Sequence, residues 1–286
     1  MKILGMVYII LIAIPLGAQQ YQGELEVYGR DRDGPSYQVG ADLRFSFDPL
    51  QRDDGHLTDA SQRFESRSWL HYHFDHGSEE FSVISDDIVR SVHLLEGVVE
   101  VCPAFSVGGS WQFDTLRYTR WTGIQQSVEN SVIGVVLELP PSPSVRLKES
   151  IGWGRRQYVS PDRYGRNTDR GIASFRHEMD LLFDRSALSH SIAIEYDDWF
   201  KDIVRLTTDQ SIEYAITPRL SVIPAVSMRS WFRILRAREV LFHAGFRWYI
   251  TSRIILSAAP IYVIRKESYR DAEESFGIAG SVRVRL

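Results

Sequence analysis

The sequence contains very little cysteine and only a small net charge. Cys102 is the single thiol of the 286 residues, so neither an intrachain disulfide nor a site built from several thiolates can form. The 33 basic and 37 acidic side chains give a formal net charge of -4, which provides no basic field to attract nucleic acid. We therefore expect no nucleic-acid partner.

Long apolar runs are also scarce, and the clearest one stands at the start of the sequence. Lys2 precedes an almost unbroken apolar run from Ile3 to Leu16, and Gly17-Ala18 follows as a candidate cleavage site. This order is typical of an export signal, and the run is shorter than the roughly 20 residues of a membrane-spanning helix. We assign residues 1–18 to a signal peptide and residues 19–286 to one mature domain, with a retained anchor as the alternative.

What the mature chain does contain is alternation of apolar and polar residues. From Val240 to Ile250, apolar residues alternate with a mixed set that includes His243 and Arg247. The pattern recurs from Val39 to Phe47 and from Ala173 to Phe183, where the charged side chains share one face. Period-two alternation predicts strands that lie between two environments.

Strand length and connection length favour a membrane barrel over a soluble sandwich, which alternation alone does not distinguish. Stretches such as Glu239 to Ile250 reach the length of a tilted transmembrane strand. Short and long links also alternate, as in a barrel with one end in the periplasm. The predicted short links are Thr251-Ser252, Thr217-Pro218, Asp184 to Ala187 and Pro140 to Ser144, and the longer ones are Lys266 to Ala272, Trp231 to Arg236, Asp198 to Ile203 and Gly154 to Arg170.

The end of the chain carries a family resemblance. Phe276, Ile278, Val282 and Val284 alternate with smaller or charged residues up to a terminal Leu286. This resembles the C-terminal assembly signal of bacterial outer-membrane β-barrels, of the porin-like class, in which the last residue is usually aromatic. The resemblance implies a place in the cell outer membrane, contact with outer-membrane lipid, and recognition by the barrel assembly machinery through the C-terminal strand.

The predicted fold class is all-β, an antiparallel transmembrane β-barrel. A count that starts at Ser36 gives about 14 strands, an even number that would place both termini in the periplasm. The segment from Gln22 to Arg30 also alternates, and the boundaries between Phe81 and Trp121 are poorly marked, so about 12 or 16 strands stay open.

Charged residues of both signs are predicted to line the inside of the barrel. A wet lumen with opposed charges selects solutes by size and charge, which predicts a passive pore or transporter for small polar solutes. The alternative is a closed interior in which these groups pair with one another. The predicted pore-lining residues are Arg44, Arg67, Arg176, Glu178, Asp180, Arg205, Asp209, Glu213, Arg219, Arg229 and Arg247.

Other chemistry receives weaker support from the sequence. His71 and His73 point the same way and could begin a metal site, but no third ligand is evident, so we assign no metal and no cofactor. Ser66, Ser68 and His177 share the lipid side by strand parity, as a lipid-modifying enzyme would require, yet no motif surrounds them and no catalytic residue is assigned. A closed barrel with partner-binding outer loops is the third alternative.

Two further groups have structural interpretations. The arginines between Gly154 and Arg170 would form a basic outer loop, able to bind anionic ligands such as lipopolysaccharide phosphates or simply solvated. Several tryptophans near predicted strand ends would anchor the barrel at the membrane interfaces, namely Trp111, Trp153, Trp199, Trp231 and Trp248.

Overall fold

A computed structural model shows a single closed β-barrel. It describes residues 22–32, 37–47, 68–81, 85–120, 125–142, 144–159, 168–183, 185–197, 202–232, 237–251, 254–267 and 271–285. The predicted signal peptide, residues 1–18, lies outside these described residues. In the described ranges, no helix is long and apolar enough to cross a membrane.

The wall consists of fourteen strands, each antiparallel to its neighbours in sequence. The first strand pairs with the last and closes the cylinder, with Glu24 opposite Arg285 and Arg32 opposite Gly277. The strands are β1 (Gln22–Arg32), β2 (Tyr37–Ser46), β3 (Trp69–Phe81), β4 (Ser85–Cys102), β5 (Phe105–Arg120), β6 (Gln125–Ser142), β7 (Val145–Val159), β8 (Thr168–Leu182), β9 (Ser186–Asp197), β10 (Asp202–Thr217), β11 (Leu220–Trp231), β12 (Ala237–Tyr249), β13 (Ile254–Glu267) and β14 (Glu273–Arg285).

The predicted fold class and the count of fourteen strands are confirmed, but the starting point of the count was wrong. The first strand is Gln22–Arg32, not the stretch that begins at Ser36. The poorly marked region contains only two long strands, Ser85–Cys102 and Phe105–Arg120. One strand too many was therefore counted after Ser36, and this error offset the omission of β1.

The two ends of the barrel differ in the length of their connections. At the end where β1 begins and β14 ends, β4 and β5 are joined by residues 103–104, and β10 and β11 by residues 218–219. The predicted short links all lie at this end, and the predicted longer links all lie at the other. Two links depart from this pattern: the link between β2 and β3 spans residues 47–68 at the short-turn end, and the link between β3 and β4 spans only residues 82–84 at the other.

Contacts between strands that are not neighbours identify the inner face of the wall. The indole Nε1 of Trp69 on β3 donates to Glu138 Oε2 on β6 at 3.1 Å, and Lys148 on β7 contacts Glu96 on β4. Such contacts can only cross the interior. Residues of the opposite parity include Ile133 on β6 and Ile278 on β14, which are 67% and 69% exposed on the outer wall.

Candidate channel lumen

A tryptophan on β3 is the centre of a dense polar network on one side of the lumen. Trp69 is almost fully buried, because Arg44, Arg146 and Lys148 approach its ring face, at 5.1, 5.8 and 5.3 Å from the centroid. Cations over an indole ring are attracted by its negative face. The ring therefore links strands β2, β3 and β7 across the interior.

Two of the cations around Trp69, Arg146 and Lys148, also contact carboxylates. Arg146 Nη2 lies 2.5 Å from Glu138 Oε2, and Lys148 Nζ lies 2.5 Å from Glu96 Oε1 and 3.1 Å from Glu178 Oε2. Buried charges require such partners, since an isolated ion in a low-dielectric interior is strongly disfavoured. We call these side chains and Trp69 the lower network, since they lie toward the short-turn end.

A second chain of contacts, the upper network, crosses the interior nearer the long-link end. Arg156 on β7 donates through Nε to Asn130 Oδ1 at 2.8 Å and through Nη1 to Asp197 Oδ2 at 3.3 Å. It also pairs with Glu195 on β9, while Asn130 donates to Asp114. The two networks fill the side of the lumen lined by strands β3 to β9 with paired charges.

The opposite side of the lumen holds an open space. A cavity of about 510 Å³ is bordered by residues of β8 to β14 and of β1. Many of the side chains that this part of the wall turns inward are small, because β9, β11, β13 and β14 present serine and alanine there. They include Ser189, Ser191, Ala225, Ser227, Ser257, Ala259, Ala279 and Ser281.

Charged side chains of both signs border this cavity. Asp209 on β10 accepts hydrogen bonds from Ser191 at 3.2 Å and from Ser227, and it is exposed to the lumen. Arg176 on β8 pairs with Glu178 at 2.7 Å, yet 42% of its side chain is still exposed. An aqueous path along this side would therefore pass both a carboxylate and a guanidinium.

Comparison with known proteins identifies the fold and no family. No protein-family model matches the chain, and no curated protein matches it. Solved structures do match, at low sequence identity and over nearly the whole chain. One is the CymD monoaromatic hydrocarbon channel, with 9% identity, a TM-score of 0.56, and coverage of 93% of this chain and 88% of that one.

Two other solved structures have a similar fold. The Pseudomonas putida toluene transporter TodX matches with 9% identity and a TM-score of 0.51, over 94% of this chain and 90% of that one. CdiB from Acinetobacter baumannii matches with 10% identity and a TM-score of 0.54; the match covers 94% of this chain but 60% of CdiB. In fold, this chain resembles the bacterial outer-membrane β-barrels. At this level of identity, the likeness establishes the fold alone.

The register places most predicted pore-lining residues on the inner face. Several of them are held in ion pairs: Glu178 and Asp180 belong to the lower network, and Arg247 Nη1 lies 2.8 Å from Glu213 Oε2. Arg176 and Asp209 border the cavity, and so do the ion-paired Glu178, Asp180 and Arg247. The predicted residues found on this face are Arg44, Arg176, Glu178, Asp180, Arg205, Asp209, Glu213, Arg229 and Arg247.

One predicted residue lies in a turn, and another lies outside the described residues. Arg219 is exposed in the two-residue turn between β10 and β11, because the predicted alternation was extended back beyond the first residue of β11, Leu220. Arg67 lies outside the described residues. No local sequence pattern indicated that Trp69 and Arg156 would be central to the two networks, because both roles arise from contacts with strands distant in sequence.

The predicted basic loop is shorter than expected. Strand β7 continues to Val159 and β8 begins at Thr168, so Arg156 and Arg170 are part of the wall and face inward. Arg155 lies on the outer face of β7, and Arg163 and Arg166 lie outside the described residues. At least two arginines of the predicted basic loop, Arg156 and Arg170, therefore belong to strands and face the lumen.

The two histidines on β3 share one carboxylate oxygen. His71 Nε2 and His73 Nδ1 lie 2.8 and 2.9 Å from Asp42 Oδ1, and His73 stacks on Tyr28. Within the described ranges, no three histidine, cysteine or carboxylate side chains are grouped so that they could hold a metal ion. The pair therefore acts as a polar link between β2 and β3.

The residues considered for lipid chemistry are not brought together. His177 lies on the outer face of β8, whereas Ser68 lies at the entrance of β3, five strands away, and its Oγ accepts the backbone N–H of Glu100. Ser66 lies outside the described residues. A serine nucleophile beside His177 is therefore not found in the part of the barrel that the structure describes.

The tryptophans occupy more varied positions than a single girdle at the strand ends. Trp111 and Trp153 face outward from the middle of β5 and β7, and Trp248 faces outward near the end of β12. Trp231 has the inner-face parity of β11, and Trp199 lies outside the described residues. Strands β5 and β7, with 16 and 15 residues, are longer than the roughly 9 to 11 residues that a tilted strand needs to cross a membrane, so positions in their middle can also lie near an interface.

Proposed function

We propose that this protein is an outer-membrane channel for small polar solutes. The observation that carries the proposal is the cavity of about 510 Å³, bordered by inward serines and alanines on one side of the barrel. A narrow, partly polar space beside a packed network favours passage of small hydrated molecules over large ones.

The charges beside the cavity support a polar solute. Asp209 and Arg176 keep exposed polar atoms in the lumen, and an apolar solute would displace their water without replacing its hydrogen bonds. The CymD and TodX structures are described as a hydrocarbon channel and a toluene transporter. The solute class proposed for this chain differs because its cavity is bordered by hydroxyl and charged groups.

The outer wall supports a place in the outer membrane. Large apolar side chains are exposed around the cylinder, among them Val135, Trp153 and Phe276, at 54%, 60% and 60% exposure. Water would disfavour so extended an apolar surface, whereas lipid would cover it. The proposal includes export by the signal peptide, contact with outer-membrane lipid, and insertion by the barrel assembly machinery through β14.

Liposome swelling tests both the channel and its solute class. Vesicles that contain the purified barrel should swell in small sugars and amino acids, at rates that fall steeply with solute size. Ala225→Trp fills the cavity and should slow swelling severalfold, since Ala225 is one of the residues that border it. Ala244→Trp is the matched control, because the same change on β12 faces outward.

The proposal fails if vesicles with folded barrel do not swell in any small polar solute. Equal slowing by Ala225→Trp and Ala244→Trp would also count against it, since only one of the two side chains enters the lumen. Folding of each variant is checked by the gel mobility shift between unboiled and boiled protein.

A further inference from the structure

A polar cluster interrupts the apolar outer wall on strands β7 to β9. His177 Nδ1 on β8 lies 2.5 Å from Glu149 Oε1 on β7, and the ring of His190 on β9 meets the His177 ring edge-on, with centroids 6.4 Å apart. All three have outer-face parity, as do Ile151 and Phe175 beside them. We call Glu149, His177 and His190 the outer polar cluster.

The three side chains lie at one height. Glu149 is the fifth residue of Val145–Val159, His190 is the fifth of Ser186–Asp197, and His177 is the sixth from the end of Thr168–Leu182. The strand ends from which these positions are counted, Val145, Ser186 and Leu182, all lie at the short-turn end of the barrel. At about 3.3 Å per residue along tilted strands, the cluster lies about 10 to 15 Å from that end, inside an apolar band about 25 Å tall.

Lipid chains cannot satisfy this cluster. Polar and ionisable groups in the hydrocarbon region are costly and mark places where another polar group is bound. A lipid phosphate would have to leave the headgroup layer to reach this depth. The cluster also combines a carboxylate with two imidazoles, so it has no strong net charge of one sign to attract an anionic headgroup.

We propose that the outer polar cluster is the centre of an interface with a second copy of this chain. Two barrels inserted in the same direction are related by a twofold axis along the membrane normal, and an axis beside β8 places Glu149 of one copy opposite the partner's β9. Glu149 and His190 lie on either side of β8 at equal height, so each carboxylate meets an imidazole.

The apolar residues around the cluster complete this surface. Ile151 and Phe175 are 45% and 40% exposed, and Met179 lies below them on the outer face of β8. In such an interface the polar side chains at the centre contact the partner and not lipid. The apolar side chains around them contact both the partner and the bilayer. The inference rests on the proposed membrane location, but it does not require that the lumen conduct.

Cysteine crosslinking in lipid vesicles tests the geometry. In a Cys102→Ala background, Met179→Cys lies beside the twofold axis and should form a covalent dimer under mild oxidation. Val27→Cys is the control, because it is exposed on the outer face of β1, on the opposite side of the barrel. Dimer from Val27→Cys with equal yield, or none from Met179→Cys, overturns the proposal.

A second pair of variants separates the contact from the fold. Glu149→Leu combined with His190→Leu should reduce the Met179→Cys dimer at least fivefold, while the heat-dependent gel shift stays unchanged. Thr115→Leu, also an outward polar-to-apolar change, should leave the dimer yield unaltered. Undiminished crosslinking in the double variant contradicts the interface, whereas intact dimers without solute passage would contradict the channel instead.

Discussion

Many charges on the inner face are paired with residues on other strands, and one example is the ion pair between Glu213 on β10 and Arg247 on β12. Glu213 is buried, and its oxygens accept from Arg247 Nη1 at 2.8 Å and from the Tyr249 hydroxyl at 3.0 Å. Removing one partner of a buried pair leaves the other charge uncompensated, which costs more than the pair itself stabilises.

Arg247→Met should therefore lower the free energy of unfolding by about 3 kcal/mol, at the low end for a broken buried pair. Urea unfolding in lipid vesicles, followed by tryptophan fluorescence, measures the change. The double variant Glu213→Gln with Arg247→Met removes both charges and should recover most of the loss. An equally unstable double variant would show that packing of the arginine stem, not its charge, stabilises this part of the wall.

Asp209 provides a test of the open side of the lumen, because it is exposed there between Ser191 and Ser227. A single charge about 7 Å from a passing ion in water contributes about 0.6 kcal/mol, or a factor of about three. Asp209→Asn should lower the cation-to-anion permeability ratio about threefold, measured as a reversal potential across a salt gradient.

The matched control for this prediction lies on the other face of the wall. Glu149→Gln removes the same charge from the outer surface and should leave the reversal potential unchanged. If both variants shift the potential equally, ions do not pass Asp209.

The face of the wall on which a side chain lies could be predicted from the sequence, but the residue that it contacts could not. Alternation gives the inner face of Arg176 and Arg247, because side chains of a strand point to opposite sides in turn. Trp69 and Glu138 are 69 positions apart in the sequence, and they meet because their side chains reach across the lumen from β3 and β6. No local pattern specifies such a contact.

At the scale of the strands, two prolines interrupt the wall. The pairing of β10 with β11 has no partners between Ser211–Ala225 and Tyr214–Val222, where Pro224 lies. The pairing of β12 with β13 has the same gap around Pro260. Proline has no N–H to donate to a neighbouring strand, so each gap marks a lost ladder hydrogen bond.

Pro224→Val should restore this donor and stabilise the barrel by about 1 kcal/mol, the typical net value of one hydrogen bond. Urea midpoints of the wild type and the variant give the difference. Ala41→Val, also at an outward-facing position but on an intact part of the ladder, adds apolar bulk without a new donor and should have a smaller effect. Equal stabilisation by both would assign the effect to side-chain contact with lipid.

Strands could be predicted where their two faces differ in polarity, and their bounds could not be predicted where the two faces are alike. Ala237–Tyr249 and Glu273–Arg285 alternate clearly, and both are strands. Ser85–Cys102 turns Val92, Leu94 and Val98 inward and Ser91 and His93 outward, so its two faces have similar polarity. Its boundaries were therefore not visible in the sequence.

At the scale of the whole molecule, the lumen is asymmetric. Paired charges fill the side of β3 to β9, and small residues leave a space of about 510 Å³ along β8 to β14 and β1. From the sequence, a lumen open to solutes and a lumen closed by ion pairs were both possible. In the described barrel, ion pairs pack one side of the lumen and a cavity lies on the other, a distribution that a list of inward-facing residues cannot reveal.

Single-channel recording in a planar bilayer tests the channel proposal most directly. The purified barrel, shown to be folded by its heat-dependent gel shift, should give discrete current steps that scale linearly with voltage. Ala225→Trp should reduce the size of each step and Ala244→Trp should not. If a folded, inserted barrel passes no current, the channel proposal is contradicted. The barrel would then be closed by its ion pairs.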